Sequence, residues 1–252
     1  MKKIVLSVFS VCLLTTVFAQ GIGGGFKKLL GKDTTSKSSS ILNKVLGGDG
    51  GKNLSGDEIV SGLKEALRVA ADSSTKTLSQ ANGFFANQAI KILMPDEAKK
   101  AENTLRGMGM SSLVDKAILS MNRAAEDASG GVADIFWTSI KQMSVKDGLK
   151  ILQGGDFAAT EYLKSTTTAE LTEKMRPVIE VSLNKVNATS YWKDVFTNYN
   201  RFSSNKVNPD LTAYVTGKAL DGLFFQISLE EQKIRKDPAA QVTELLKKVF
   251  GK

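Results

Sequence analysis

Histidine is absent from the 252 residues, and cysteine occurs once, as Cys12. The first absence removes the imidazole general base, the Ser-His-Asp and Cys-His triads and every His-ligated metal. The second leaves no disulfide and no thiolate zinc site, because Cys12 sits in a segment that reads as a removable leader. Phosphate loops are missing too. Gly51-Lys52 has Leu46 where a glycine is required and Asn53 where a Ser or Thr is required, and Gly31-Lys32 fails likewise at Phe26 and Asp33. A calcium loop starting at Asp49 fails at Leu54 and Val60. No cofactor and no metal is expected. Nor does any stretch alternate apolar and polar residues over strand length with β-branched enrichment.

What is present starts with a leader. Met1-Lys2-Lys3 precedes an apolar run from Ile4 to Phe18, and Val17-Phe18-Ala19 places compact residues before a cut ahead of Gln20. A basic start, a short apolar core and an A-x-A-like end make a secretory signal peptide, residues 1–19. The run is short for a bilayer span of about 20 residues, which disfavours an uncleaved anchor. Val11 before Cys12 disfavours lipidation. Export is expected, with the periplasm as destination.

Net charge is +8, but its location argues against nucleic acid. Residues 20–56 carry six lysines against Asp33 and Asp49, whereas the chain from Asp57 holds 26 basic and 24 acidic residues. A nearly neutral domain releases few counterions on a phosphate backbone. Residues 20–56 are rich in Gly, Ser and Lys and read as a flexible linker. Two apolar patches in it, Phe26 to Leu30 and Ile41 to Leu46, could touch a membrane surface. Helices this short are marginal, so a solvated linker is the stronger expectation.

From Ser55 the period is helical throughout. Ser55-x-x-Glu58 is a capping box ahead of Ile59, Leu63, Ala66, Leu67 and Ala70. After an irregular apolar segment (Ala81 to Met94), Pro95 opens a helix with Asp96 and Glu97 at its positive end. Leu113, Val114, Ala117, Ile118, Met121, Ala124, Ala125 and Ala128 form the clearest apolar stripe. Ser144-x-x-Asp147 caps a short helix, Asp156 the next, and Thr168 a longer one that Pro177 should kink or divide. Tyr191, Trp192, Val195, Phe196 and Tyr199 make an aromatic face. Asn208-Pro209-Asp210 begins what reads as the longest helix, to about Lys236, and Asp237-Pro238 caps a last one with Val242, Leu245, Leu246 and Val249 inward. The expected fold is all-α, a single bundle of roughly nine or ten helices over residues 57–252.

With His and Cys gone, carboxylate, lysine, serine and tyrosine remain for chemistry. Glu126-Asp127, Asp156, Glu161 and Glu230-Glu231 could supply paired carboxylates for a hydrolase, but no spacing singles out a pair. Glu231 and Arg235 form a favourable i,i+4 pair. Two places stand out as candidate ligand or partner sites. Asn122, Arg123 and Glu126 lie on the polar side of the stripe helix; a solvent-facing set is the first expectation, a groove lining the second. Asp221 stands in a helix apolar nearly all round and needs a partner if buried, Lys218 first, or Arg176 or Arg123. Gly217 and Gly222 in that helix suggest close approach of another backbone.

Several strings resemble one family. Met121-Asn122-Arg123-Ala124-Ala125-Glu126, Gly154-Gly155-Asp156, Leu171-Thr172-Glu173-Lys174, and above all Val207-Asn208-Pro209-Asp210-Leu211-Thr212 through Lys218-Ala219-Leu220-Asp221-Gly222-Leu223-Phe224 to Ile234-Arg235-Lys236-Asp237-Pro238-Ala239 resemble the bacterial family catalogued as domain of unknown function 4197. The resemblance spans about Leu54 to Gly251. It implies an exported helical protein of Gram-negative bacteria and carries no catalytic residues. The functional expectation is a non-enzymatic envelope protein that binds a protein partner or an apolar ligand in a groove between helices. A cell-envelope hydrolase using two carboxylates is the alternative.

Overall fold

The computed structural model describes residues 55–202, 204, 206–208 and 210–250. The expected signal peptide, nearly all of the linker and Pro209 therefore lie outside the described residues, as do the side chains of Tyr191, Val195, Tyr199 and Leu245. Every regular element described is helical: α1 (Gly56–Leu78), a 3-10 turn (Asp96–Ala98), α2 (Lys99–Gly107), α3 (Ser111–Ser129), α4 (Ala133–Gln142), α5 (Val145–Gln153), α6 (Ala158–Asn184), α7 (Ala188–Phe202), α8 (Leu211–Lys236), a second 3-10 turn (Pro238–Ala240) and α9 (Glu244–Phe250). No helix among the described residues is long and apolar enough to cross a membrane.

Polar side chains next to the helix ends set several starts. The Ser55 hydroxyl accepts from the Glu58 amide, and the Glu58 carboxylate accepts from the Ser55 amide in return. Ser144 and Asp147 repeat the box on α5. Each such cap satisfies donors that the first helical turn leaves unpaired and is worth about 1 kcal/mol. Asp210 caps α8 through the Ala213 amide at 2.9 Å. Burial raises the pKa of Asp210, but the hydrogen bond from Arg176 and the Ala213 amide outweigh it and hold the carboxyl below its usual value.

α6 packs chiefly on α8 and α3, while α1 lies on α8, α9, α4 and α5. Their shared core contains Leu63, Leu67, Phe84, Met121, Phe136, Leu171, Met175, Leu223 and Ile227. Phe136 meets Phe224 edge to face at 6.1 Å between ring centres, the arrangement the ring quadrupoles favour. Ala66, Ala70, Ile234 and Leu246 form a smaller cluster beneath α9. α5 comes close to α1 because Gly148 has no Cβ; one there would stand 2.8 Å from Val60 Cγ2.

The structure corrects several expectations. Pro177 does not divide its helix: α6 runs unbroken for 27 residues, one more than α8. The helices expected from Asp156 and from Thr168 are thus one, and the expected number falls accordingly. Pro177 is exposed, and so is Glu173, whose carbonyl it leaves without an amide partner. The buried stripe of α6 is Leu163, Thr167, Leu171, Met175, Ile179 and Leu183, a strict spacing of four. Val178 and Val186 fall off that line and are exposed. Leu113 and Val242 are exposed as well. Asp156 does not cap α6; its carboxylate pairs with Lys236. Pro95 precedes a 3-10 turn that leads into α2 rather than the α-helix itself.

The start of α6 is satisfied from elsewhere in the chain. Glu231 of α8 accepts from the Ala159 amide at 3.0 Å, the Thr160 amide at 2.8 Å and the Thr160 hydroxyl at 2.7 Å, and it pairs with Arg235 at 2.9 Å. The favourable i,i+4 pair of the sequence is therefore buried, and its carboxylate also bridges α8 to α6. Four donor groups there replace the hydration that a buried carboxylate loses.

Candidate functional site

One groove of about 780 Å³ lies along α8. One wall is the irregular segment 89–95 with the 3-10 turn and Lys99; the other is the face of α8 carrying Tyr214, Lys218, Asp221, Gly222 and Phe225. Trp192 of α7, Lys206 and Asn208 close one end. This face explains why α8 shows a weak apolar pattern. Between Val215 and Ile227, Gly217, Lys218, Asp221 and Phe225 are exposed at three-four spacing, and the other positions are buried. Gly and Phe in that stripe disguise it, so in sequence the helix reads as buried all round.

Asp221 is accordingly not sealed in a core. Its side chain is 65 % exposed and faces Lys218 at 3.9 Å, the partner named first from sequence. Arg176 and Arg123, the alternatives, are committed to Asp210 and Glu126. The close approach expected at Gly222 is real, but what approaches is a ring. A Cβ on Gly222 would stand 2.5 Å from Phe84 Cε1 and 3.3 Å from Ile90 Cβ. Gly217 has nothing within 4 Å of such an atom.

Asn122, Arg123 and Glu126 do not form a solvent-facing set. Asn122 is fully buried and Glu126 is 3 % exposed, while Arg123 reaches outward. The Asn122 amide pairs with both backbone groups of Ile92: Oδ1 accepts from the Ile92 amide at 2.9 Å and Nδ2 donates to the Ile92 carbonyl at 2.8 Å. Glu126 Oε1 accepts from the amides of Phe84 and Phe85 at 3.0 and 3.1 Å. Arg123 donates to the other Glu126 oxygen and to Asn82 Oδ1. An irregular segment against a helix exposes unpaired amides and carbonyls, and these three side chains satisfy them. None of the three lines the groove. Sequence alone could not show this, since a polar residue that serves a buried backbone has the same helical phase as one that faces water.

The groove surface is mixed in character. Leu93 and Phe225 present exposed apolar area, and half-buried Met94 and Pro95 add to it. Four lysines (Lys91, Lys99, Lys206, Lys218) stand against Asp96, Glu97 and Asp221. Tyr214 lies between the walls, its hydroxyl donating to the Leu93 carbonyl at 2.8 Å. Burial, reinforced by Asp96 and Glu97, pushes the Tyr214 phenol up to about 12. Lys99, 2.7 Å from Asp96, draws that carboxyl below its ordinary value by hydrogen bond and charge. A second, shallower depression of about 400 Å³ carries Asp134, Glu170, Glu173 and Lys174. Its three acids are exposed. Among the described residues no group of three or more His, Cys, Asp or Glu side chains is placed to hold a metal ion.

Residues 53–251 match the family described as "Protein of unknown function (DUF4197)". The chain belongs to this family. Comparison with curated proteins and with solved structures finds no match. The residues that carry the resemblance, from Met121 to Ala239, include Asn122 and Glu126, which hold the segment, and Asp221 and Gly222 on the groove face of α8.

Proposed function

We propose that this member of the DUF4197 family is an exported, non-enzymatic protein of the cell envelope that holds a segment of a protein partner in the groove along α8. The observation that carries the reading is the groove itself: an open trough with exposed Leu93 and Phe225 at its surface and lysines on both walls. A free apolar ligand is better served by an enclosed apolar cavity. A polypeptide with apolar and mixed charged side chains suits a trough whose apolar strip is bordered by four lysines and three carboxylates. Export follows from the signal-peptide pattern of residues 1–19.

A paired-carboxylate hydrolase has less support. Its general acid needs a raised pKa, which burial supplies. Asp96, Glu97 and Asp221 in the groove and Asp134, Glu170 and Glu173 in the second depression are all exposed, and Asp96 is shifted down.

A photoreactive benzoylphenylalanine at position 225 of the exported chain tests the reading. One discrete cross-linked polypeptide is expected, identified by mass spectrometry, with none from the same probe at exposed Val181 of α6. No adduct at 225, or the same adducts at both positions, would refute the groove as the binding site. N-terminal sequencing of the chain from the periplasmic fraction should begin at Gln20; an intact Met1 retained in the cytoplasm would refute export.

A further inference from the structure

The wall of the groove opposite α8 is not a regular element, so something other than a hydrogen-bond ladder must decide which residues it turns toward the groove. Ile92 and Leu93 are adjacent, yet Ile92 is 1 % exposed in the core and Leu93 is 52 % exposed on the wall. In extended chain, successive side chains point to opposite sides, and a slip of one residue exchanges the two sets. Met94 precedes Pro95, which biases it to extended backbone, and Pro95 itself is extended at φ −62° and ψ 152°. Apolar packing alone does not discriminate strongly here, because Ile92, Leu93 and Met94 are all apolar and of similar volume.

We infer that Asn122, supported by Glu126 and Arg123, is the positioning residue that sets the register of this wall. An amide side chain that binds both the N–H and the C=O of one residue imitates a strand partner and selects that residue alone. Asn122 Nδ2 also donates to the Ile118 carbonyl at 2.7 Å, which orients the amide within α3. Glu126 grips the amides of Phe84 and Phe85 eight residues earlier, so the segment is held at two points on one helix face, one turn apart. Arg123 holds the outer Glu126 oxygen and reaches Asn82 Oδ1 at 2.9 Å, where the backbone enters the left-handed region at φ 72°. Register then fixes the groove's composition. With Ile92 inward, Leu93 faces out, its carbonyl meets Tyr214, and Pro95 places Asp96 and Lys99 at the rim. The inference rests on the groove being the partner-binding site and names the residues that shape it from behind.

The test uses the whole mature chain and Asn122→Asp, which keeps the shape but replaces the Nδ2 donor with an oxygen facing two carbonyls. Hydrogen exchange at the Ile92, Phe84 and Phe85 amides should speed up by about tenfold to a hundredfold, the loss expected for a buried hydrogen bond. Amides of α6 at Leu171 and Met175 should stay within about threefold. In a Trp137→Phe background, Trp192 emission should shift to the red and become more open to acrylamide quenching, because Trp192 shares the groove with this wall. The cross-link at position 225 should be lost. Unchanged exchange at Ile92, or equal acceleration through α3, α6 and α8, overturns the inference; the second result means general loss of stability and no specific register. Should Asn122→Asp fail to fold, Arg123→Gln, on a partly exposed side chain, should give the same selective pattern at Phe84 and Phe85, and its absence overturns the inference equally. Exchange and Trp192 report the wall without any partner. Selective exchange combined with no cross-link in the unaltered chain therefore refutes the binding reading and leaves the register role standing.

Discussion

Glu231 offers the most demanding test of how this fold is held together. Its side chain is 5 % exposed and accepts from the amides of Ala159 and Thr160, from the Thr160 hydroxyl and from the Arg235 guanidinium. Phe157, at the N-cap of α6, makes no side-chain cap bond, so Glu231 is what caps this 27-residue helix. Changing Glu231 to Ala leaves two helix-start amides unpaired and leaves Arg235, only 14 % exposed, with the Ile151 carbonyl as a remaining partner. Breaking a buried pair in this one-sided way costs about 3–5 kcal/mol. Changing it to Gln keeps one acceptor and the volume, and should cost about 2 kcal/mol. For a domain of this size each kcal/mol lowers the midpoint by about 2–4 °C, so Glu231→Ala should melt about 6–20 °C below the unaltered chain. Circular dichroism at 222 nm during heating, with urea unfolding for ΔG, measures both variants. Asp72→Asn is the control, because the Arg68–Asp72 pair is more than half exposed on both sides at 3.6 Å and should contribute under about 1 kcal/mol. Glu231→Ala losing no more than Asp72→Asn would refute the argument that an interhelical carboxylate caps α6.

Three further outcomes follow from the same geometry. Gly222→Ala should destabilise by about 1–3 kcal/mol in urea unfolding because its Cβ collides with the Phe84 ring, whereas Gly217→Ala, with open space around it, should stabilise by up to about 1 kcal/mol; equal effects would refute the packing difference. Tyr214 should ionise near 12, against an ordinary value of 10.0. Its folded pKa is the higher, so its contribution is full below the unfolded value and is lost as pH rises through the folded one; absorbance at 295 nm should show a late-titrating phenol that disappears in Tyr214→Phe. Asp210 behaves with the opposite sign: its pKa is lowered from 3.8 on folding, so its contribution is present above that value and lost as pH falls through the folded one, and Arg176→Gln should flatten that acid limb of the stability curve.

The helical class and most of the core were legible without coordinates. Capping boxes at Ser55 and Ser144 are local, since the pairing residues are three apart and the backbone geometry is the same wherever the helix lies. Apolar stripes such as Ile59, Leu63, Leu67 and Ala70 follow from the helical period, which any single helix carries in its own sequence. The expected aromatic packing in α7 is seen for Trp192 and Phe196, whose ring centres lie 4.4 Å apart. Family membership was legible for a related reason, since it rests on strings of neighbouring residues.

Misreadings arose where a residue's partner lies far along the chain. Asp221 read as buried because Gly217 and Phe225 hide an exposed stripe, and Asn122 and Glu126 read as exposed because a polar residue usually seeks water. Their partners, Ile92 and Phe84, are 30 and 42 residues away, and no periodicity within α3 refers to them. Phe157 and Glu231 make the same point, with a helix end satisfied by a carboxylate about seventy residues distant. Helical period and capping boxes depend on near neighbours in the chain, so sequence determines them directly. Which polar groups are spent on a buried backbone, and where a groove opens, depend on which helices meet, and only the assembled structure decides that.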